Sequence, residues 1–189
     1  GARTAQGIMY TTGCGGVDLE PYVQQERDGE LAQKLGLPEG VPVVGKIARL
    51  FELKGHEYLI EAAEMILDEV GDVRFLLVGD GVLRDDLQLA VRRANLQENF
   101  VFAGLVAPRK IPNYVSLMDV LVHLSLREGL PRTVVQAMAG GKPAVGFSLD
   151  GTPEAIVDGE TGYLCPPESV LSVAAAVIKL LKAPERAAA

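Results

Sequence analysis

Two stretches of the sequence gather side chains suited to an anionic, hydroxyl-rich ligand. In residues 45–55, Arg49 and Lys54 follow a short apolar run. A guanidinium offers a planar fork and an ammonium a point charge, so the two together can clamp a diphosphate. On spacing alone, two solvated surface cations are the simpler reading. In residues 125–136, Glu128 precedes Gly129, Leu130 and Pro131, and Arg132, Thr133 and Gln136 open a helical pattern. Proline suits the first helical turn because its missing N–H is not needed there. The N–H groups of Arg132 and Thr133 would then point out of the helix start, a geometry that binds phosphate. Glu128 can accept from hydroxyls, and Gln136 can both donate and accept. The combination suits a sugar nucleotide, with a surface carboxylate and a helix-face amide as the alternative. Gly79-Asp80-Gly81 allows either a simple tight turn or close approach of backbone to a ligand.

Other signals are absent or structural. No GxGxxG follows the first apolar run, and Gly140-Gly141-Lys142 continues into Pro143 where a Walker A loop needs Ser or Thr. Nicotinamide-dependent enzymes and P-loop nucleotidases are thereby disfavoured. Cys14 and Cys165 have no partner at metal spacing, so no metal is expected and both are read as reduced thiols. His123 inside an apolar strand and His56 at a helix start are assigned structural roles. Thr152-Pro153 predicts an N-cap followed by proline at the first helical position, with Glu154 complementing the helix dipole.

These residues need a scaffold, and the hydropathy pattern supplies one. Apolar runs at 41–45, 75–78, 100–103, 120–124, 144–147 and 162–165 alternate with helical stretches at 57–70, 83–94, 111–117, 132–139, 152–157 and 168–182. In the first of these helices Leu59, Ala62, Ala63, Ile66 and Val70 share one face, while Glu57, Glu61, Glu64 and Asp68 share the other. Strands apolar on both faces and separated by helices predict an α/β protein with a doubly wound, Rossmann-like parallel sheet covered on both sides. Ligands then belong at the carboxyl ends of the strands, where both chemistry-bearing loops lie. Residues 1–40 read as a lead-in with a short helix at 30–35 stopped by Gly36, residues 41–183 as the Rossmann-like domain, and 184–189 as a tail.

The chain has 189 residues, 48% of them hydrophobic, and a net charge of -7. This is the balance of an ordinary globular domain with enough apolar material for a core. An acidic surface disfavours nucleic acid as a partner, because phosphate-rich polymers need a basic footprint. No apolar stretch approaches the length of a membrane span. The opening Gly1-Ala2-Arg3, without methionine, suggests a fragment of a longer chain.

Taken together, the loops resemble the C-terminal, donor-binding domain of retaining GT-B glycosyltransferases of family 4, or group 1. The resemblance runs in order through Gly16-Val17-Asp18-Leu19-Glu20, Ala48-Arg49-Leu50 with Lys54-Gly55, Leu77-Val78-Gly79-Asp80-Gly81 and Val101-Phe102-Ala103-Gly104. It continues through the segment from Ser125 to Gly129, then Glu154-Ala155-Ile156 and Asp158-Gly159-Glu160-Thr161-Gly162. It implies that Arg49 and Lys54 neutralise the diphosphate of a UDP-, GDP- or ADP-sugar and that Glu128 hydrogen-bonds the transferred sugar. It further implies donor contacts at Gly79, Gly129, Leu130, Arg132 and Thr133, ribose contacts at Gln136, and a base near Leu105 and Val106. No cofactor or metal is implied beyond the nucleotide-sugar substrate. A separate N-terminal acceptor-binding domain is implied, as is a cytoplasmic location, any membrane association coming through that missing domain. An isolated donor-binding half is expected not to turn over. Three positions depart from the pattern: Gln136 replaces a second Glu, Pro131 a glycine, and Leu124 a proline. A non-catalytic sugar-nucleotide-binding or scaffolding domain is the alternative, with Gln136 as its mark.

Overall fold

A computed structural model of the chain describes residues 18–23 and 25–183. Cys14, the Gly16-Val17 start of the first motif and the tail at 184–189 lie outside the described residues. The core is one six-stranded sheet built from β1 (Val43–Ile47), β2 (Arg74–Val78), β3 (Phe100–Gly104), β4 (Val120–His123), β5 (Ala144–Phe147) and β6 (Gly162–Cys165). Its order is β3-β2-β1-β4-β5-β6, and every named pair is parallel. Strand order reverses between β1 and β4, which places a crevice at the carboxyl ends of those two strands.

Between the strands run α1 (Gly29–Lys34), α2 (His56–Val70), α3 (Arg84–Arg93), α4 (Ile111–Ser116), α5 (Arg132–Ala139), α6 (Thr152–Ala155) and α7 (Val170–Lys182). Successive strand side chains point to opposite faces. Val44, Phe75, Leu77, Val120, Val122, Val145 and Phe147 therefore pack with Leu59 and Ile66 of α2, Leu87 and Val91 of α3, and Val173 and Val177 of α7. Val43, Leu76, Val78, Leu121 and Ala144 pack on the other face with Val115 of α4, Val134 and Ala137 of α5, and Ala32 of α1. The doubly wound α/β expectation is met.

Several boundaries differ from expectation, each for a local reason. The first strand is shifted from 41–45 to Val43–Ile47, because Lys46, whose charge marks the end of the apolar run, is itself buried. Pro131 is the N-cap of α5 and not a residue of its first turn; its ψ of 96° is extended. Gly151, not Thr152, caps α6, and Thr152 is buried in the first turn with its methyl close to Gly146. That helix stops at Ala155 because Ile156 is extended. The last helix begins at Val170 because Glu168 has φ 63° and the Ser169 hydroxyl caps the new start by accepting from Ser172 N–H.

Candidate functional site

The carboxyl ends of β1 and β4 are held together by backbone. Gly55, at φ 66°, caps α2, and a Cβ there would lie 2.0 Å from the Leu124 carbonyl oxygen. Leu126 N–H donates to Leu53 O at 2.8 Å, tying the loop after β4 to the loop after β1. On the other side Gly79, at φ 140°, lets β2 end against the Ala48 carbonyl, and Leu50 N–H donates to Asp80 O at 3.0 Å. Gly79 thus positions the loop that carries Arg49. The His56 ring fixes the same loop, with Nε2 2.9 Å from Arg49 O. A carbonyl only accepts, so Nε2 carries the proton. Burial first, and then the nearby Lys46 charge, pushes His56 down to about 4, which keeps the ring neutral.

This scaffold brings two of the expected residues into contact across the crevice. Lys54 Nζ donates to Glu128 Oε2 at 2.6 Å, with side-chain exposures of 19% and 33%. Arg49 is exposed, its guanidinium 5.0 Å from the centre of the Phe51 ring. Beside the ion pair, α5 presents the expected helix start. Val134 and Val135 N–H both donate to Pro131 O, so Arg132 and Thr133 hold the first helical N–H groups, which have no partner inside the helix. Arg132, Thr133 and half-buried Gln136 lie on one face at helical spacing. Gly129 and Leu130 are wedged against Gly151, where a Cβ would lie 2.8 Å from Gly129 O. Leu105 is 84% exposed just beyond β3, and Val106 packs against the core. Gln136, Leu105 and Val106 make no hydrogen bond or ion pair with Lys54 or Glu128 among the described residues.

Two residues not singled out from sequence, Asp150 and Lys46, also lie at this end of the sheet. Asp150, at φ 50°, accepts from Glu128 N–H at 2.9 Å and so fixes the loop bearing the carboxylate. Its Asp-Gly pairing with Gly151 is a turn signal, but nothing local ties it to Glu128. Ser125 Oγ, His56 Nδ1 and His123 Nε2 are buried without hydrogen-bond partners among the described residues. Lys46 is 1% exposed on β1. Cys165 is a free buried thiol, pushed up to about 11 mainly by burial.

An open cavity of about 500 Å³ lies at the opposite, amino end of the strands, beside Arg27, Asp119 and Lys142. Its polar groups already serve the fold: Arg27 donates to Leu117 O at 2.8 Å, and Asp119 accepts from Val43 N–H at 2.7 Å. Lys142 Nζ lies 3.4 Å from Ser116 O. The crevice between β1 and β4 is the better candidate site, because its charged groups converge from separate loops. Among the described residues, no helix is long and apolar enough to cross a membrane, and no group of three or more His, Cys, Asp or Glu side chains could hold a metal ion.

A sequence model of the family described as "Glycosyl transferases group 1" matches residues 28–189. The chain is 34% identical over 155 residues to a 2-deoxystreptamine glucosyltransferase of Streptomyces kanamyceticus, covering 82% of this chain and 40% of that protein. Anabaena HepE in complex with UDP superposes with a TM-score of 0.82 at 29% identity, covering 92% of this chain and 48% of HepE. Its complex with UDP-glucose gives the same TM-score at 28% identity, over 92% of this chain and 48% of that one. The C-terminal domain of a group 1 glycosyl transferase family protein from Francisella tularensis superposes with a TM-score of 0.75 at 25% identity, covering 92% of this chain and 91% of that domain. The chain thus spans less than half the length of the glucosyltransferase and of HepE.

Proposed function

The chain belongs to the group 1 glycosyltransferases, and from that premise we propose that it is the sugar-nucleotide donor-binding half of a retaining enzyme. The complete protein would move a sugar from a nucleoside-diphosphate donor to an acceptor held by a separate N-terminal domain, in a cytoplasmic setting. The observation that carries this reading is the Lys54–Glu128 contact at the strand-order reversal, beside the open helix start of α5. An ammonium and helix N–H groups there suit a diphosphate, and the carboxylate suits sugar hydroxyls. UDP is the first nucleotide to test, because HepE is known in complex with UDP and with UDP-glucose.

In this reading Arg49, Lys54 and the N–H groups of Arg132 and Thr133 stabilise charge on the leaving diphosphate, the electrostatic part of catalysis. Glu128 and backbone at Gly129 and Leu130 hold the sugar, Gln136 the ribose, and Leu105 and Val106 the base. Gln136 is neutral, so its bonds to ribose are weaker than those of a carboxylate. Transfer needs both substrates fixed in reaction geometry. The chain alone is therefore expected to bind donor weakly and not to transfer sugar.

Calorimetric titration with UDP, GDP and ADP and their sugar conjugates tests the proposal. Saturable binding of one nucleotide series is expected, and no binding at millimolar concentration overturns the donor-site reading. Robust transfer by this chain to a broad acceptor set would refute the need for a second domain. Arg49→Ala is expected to weaken diphosphate binding by about 1.5–3 kcal/mol, the loss of a charge-assisted hydrogen bond. Stability should change by only about 1 kcal/mol or less, because Arg49 is exposed and its contact is with Phe51. Equal losses in urea unfolding and in binding would mark Arg49 as structural.

A further inference from the structure

Lys46 is a buried amine that the functions assigned above leave unused. It sits near the carboxyl end of β1, is 1% exposed, and is among the largest fully buried side chains of the protein. Gly45, its neighbour on β1, pairs with Leu121 of β4, so Lys46 lies at the strand-order reversal whose following loops carry Lys54 and Glu128. Its charge is felt by, or feels, Glu57 and His56 of α2, Lys54 of the loop after β1, Glu128 of the loop after β4, and His123 of β4. The amine is thus coupled to both members of the ion pair that marks the donor site. His56 Nδ1, an unpartnered acceptor by the tautomer argued above, lies in the same cluster. A charge in this position is costly unless compensated.

We propose that Lys46 is a proton-linked residue of the donor site, a buried amine that takes up a proton when the diphosphate of a nucleotide sugar binds. The proposal rests on the donor-site reading above. The proton comes from solvent and adds to the lone pair of neutral Nζ, and no other bond changes. The physical cause is charge balance. In the free site, Glu57 and Glu128 favour the ammonium, whereas burial and Lys54 oppose it. A diphosphate at Lys54 and the α5 start adds negative charge within reach of the amine, and the protonated form gains. Burial pushes Lys46 down to about 7 in the free chain, so this proton moves in an accessible range. His56 and His123, held down to about 4 and about 3 mainly by burial, stay neutral there.

The sign follows from linkage. Binding raises the proton affinity of the amine, so donor affinity is greatest below the free-state pKa and falls as pH rises through the bound-state value. A tenfold gain in proton affinity implies binding about five- to tenfold weaker at about pH 9 than at about pH 6, with uptake of about half a proton at about pH 7.5.

UDP-glucose is the probe, because its diphosphate diester does not titrate in this range. Calorimetry in buffers of different ionisation enthalpy should show proton uptake with the native chain and none with Lys46→Met, whose binding should be independent of pH. In parallel, NMR of the lysine Cε groups of the native chain should show one resonance titrating at about 7. Its midpoint should move upward with UDP-glucose, a readout that stands even if the variant does not fold. No binding by the native chain at millimolar concentration overturns the donor-site reading and this inference with it. Binding with a buffer-independent heat, uptake that survives in Lys46→Met, or a lysine midpoint unmoved by UDP-glucose overturns this inference alone.

Discussion

Gly55→Ala is expected to lower the unfolding free energy by about 3 kcal/mol or more, from a left-handed backbone penalty added to a steric clash. The clash is with backbone: the new Cβ would stand 2.0 Å from the Leu124 carbonyl oxygen and 2.8 Å from its carbon. No rotamer change can relieve it, so the α2 start must move away from the end of β4. Gly36→Ala is the internal control. Gly36 has φ 68°, close to the 66° of Gly55, but a Cβ there meets nothing within 4 Å. It should lose only about 1 kcal/mol, the conformational term alone. Urea unfolding of the two variants measures the difference directly. Equal, small losses would show that the two loops are not locked together at Leu124. The functional consequence should exceed the loss of stability. Displacing Gly55 strains the Leu126-to-Leu53 bond of 2.8 Å and the His56-to-Arg49 contact of 2.9 Å. It thereby pulls Lys54 from Glu128, so UDP affinity should fall even where the variant remains folded.

Parts of the fold and site were legible in sequence and others were not, according to whether the deciding contact is local. Strand and helix alternation was readable because the four inner strands are buried on both faces, as with Val43 and Val44 on β1, while the edge strands β3 and β6 are only partly covered but keep the same apolar pattern. Arg49, Lys54 and Glu128 were readable as residue types in loops following strands, and the parallel sheet puts such loops at one edge. Burial of Lys46 was not readable. A lysine ends an apolar run by every local criterion, and its tolerance here depends on Glu57 and Glu128, which only the fold brings near it. Asp150 was not legible as the acceptor for Glu128 N–H, because that partner lies 22 positions away in the chain. Pro131 and Thr152 were misplaced by one position each. Proline is compatible with either side of a helix boundary, and the preference of threonine for the cap yielded to packing of its methyl near Gly146.

Lys54→Met separates binding chemistry from folding in the opposite sense to Gly55→Ala. In the complete enzyme that the proposal requires, kcat/KM should fall by about 10²–10³, the usual effect of removing one preorganised stabiliser of transition-state charge. Stability of the present chain should change little. The Lys54–Glu128 contact is short, at 2.6 Å, but the side chains are 19% and 33% exposed. Solvent screening limits such a pair to about 1 kcal/mol or less, and a partly exposed Glu128 left alone can still be hydrated. The methionine stem keeps most of the apolar contact of the lysine chain. If Lys54 acts on the leaving diphosphate, the loss appears mainly in kcat; if it only anchors donor in the ground state, KM rises and kcat holds. A stability loss of several kcal/mol with unchanged kcat/KM would remove Lys54 from the site and leave its contact with Glu128 as a strut between two loops. The strut alternative makes a further demand. It requires Gly55→Ala and Lys54→Met to be non-additive in stability, because both would act on the same loop-to-loop contact. The donor-site reading requires near-additive stabilities and a shared loss of UDP affinity, so the double variant decides between them.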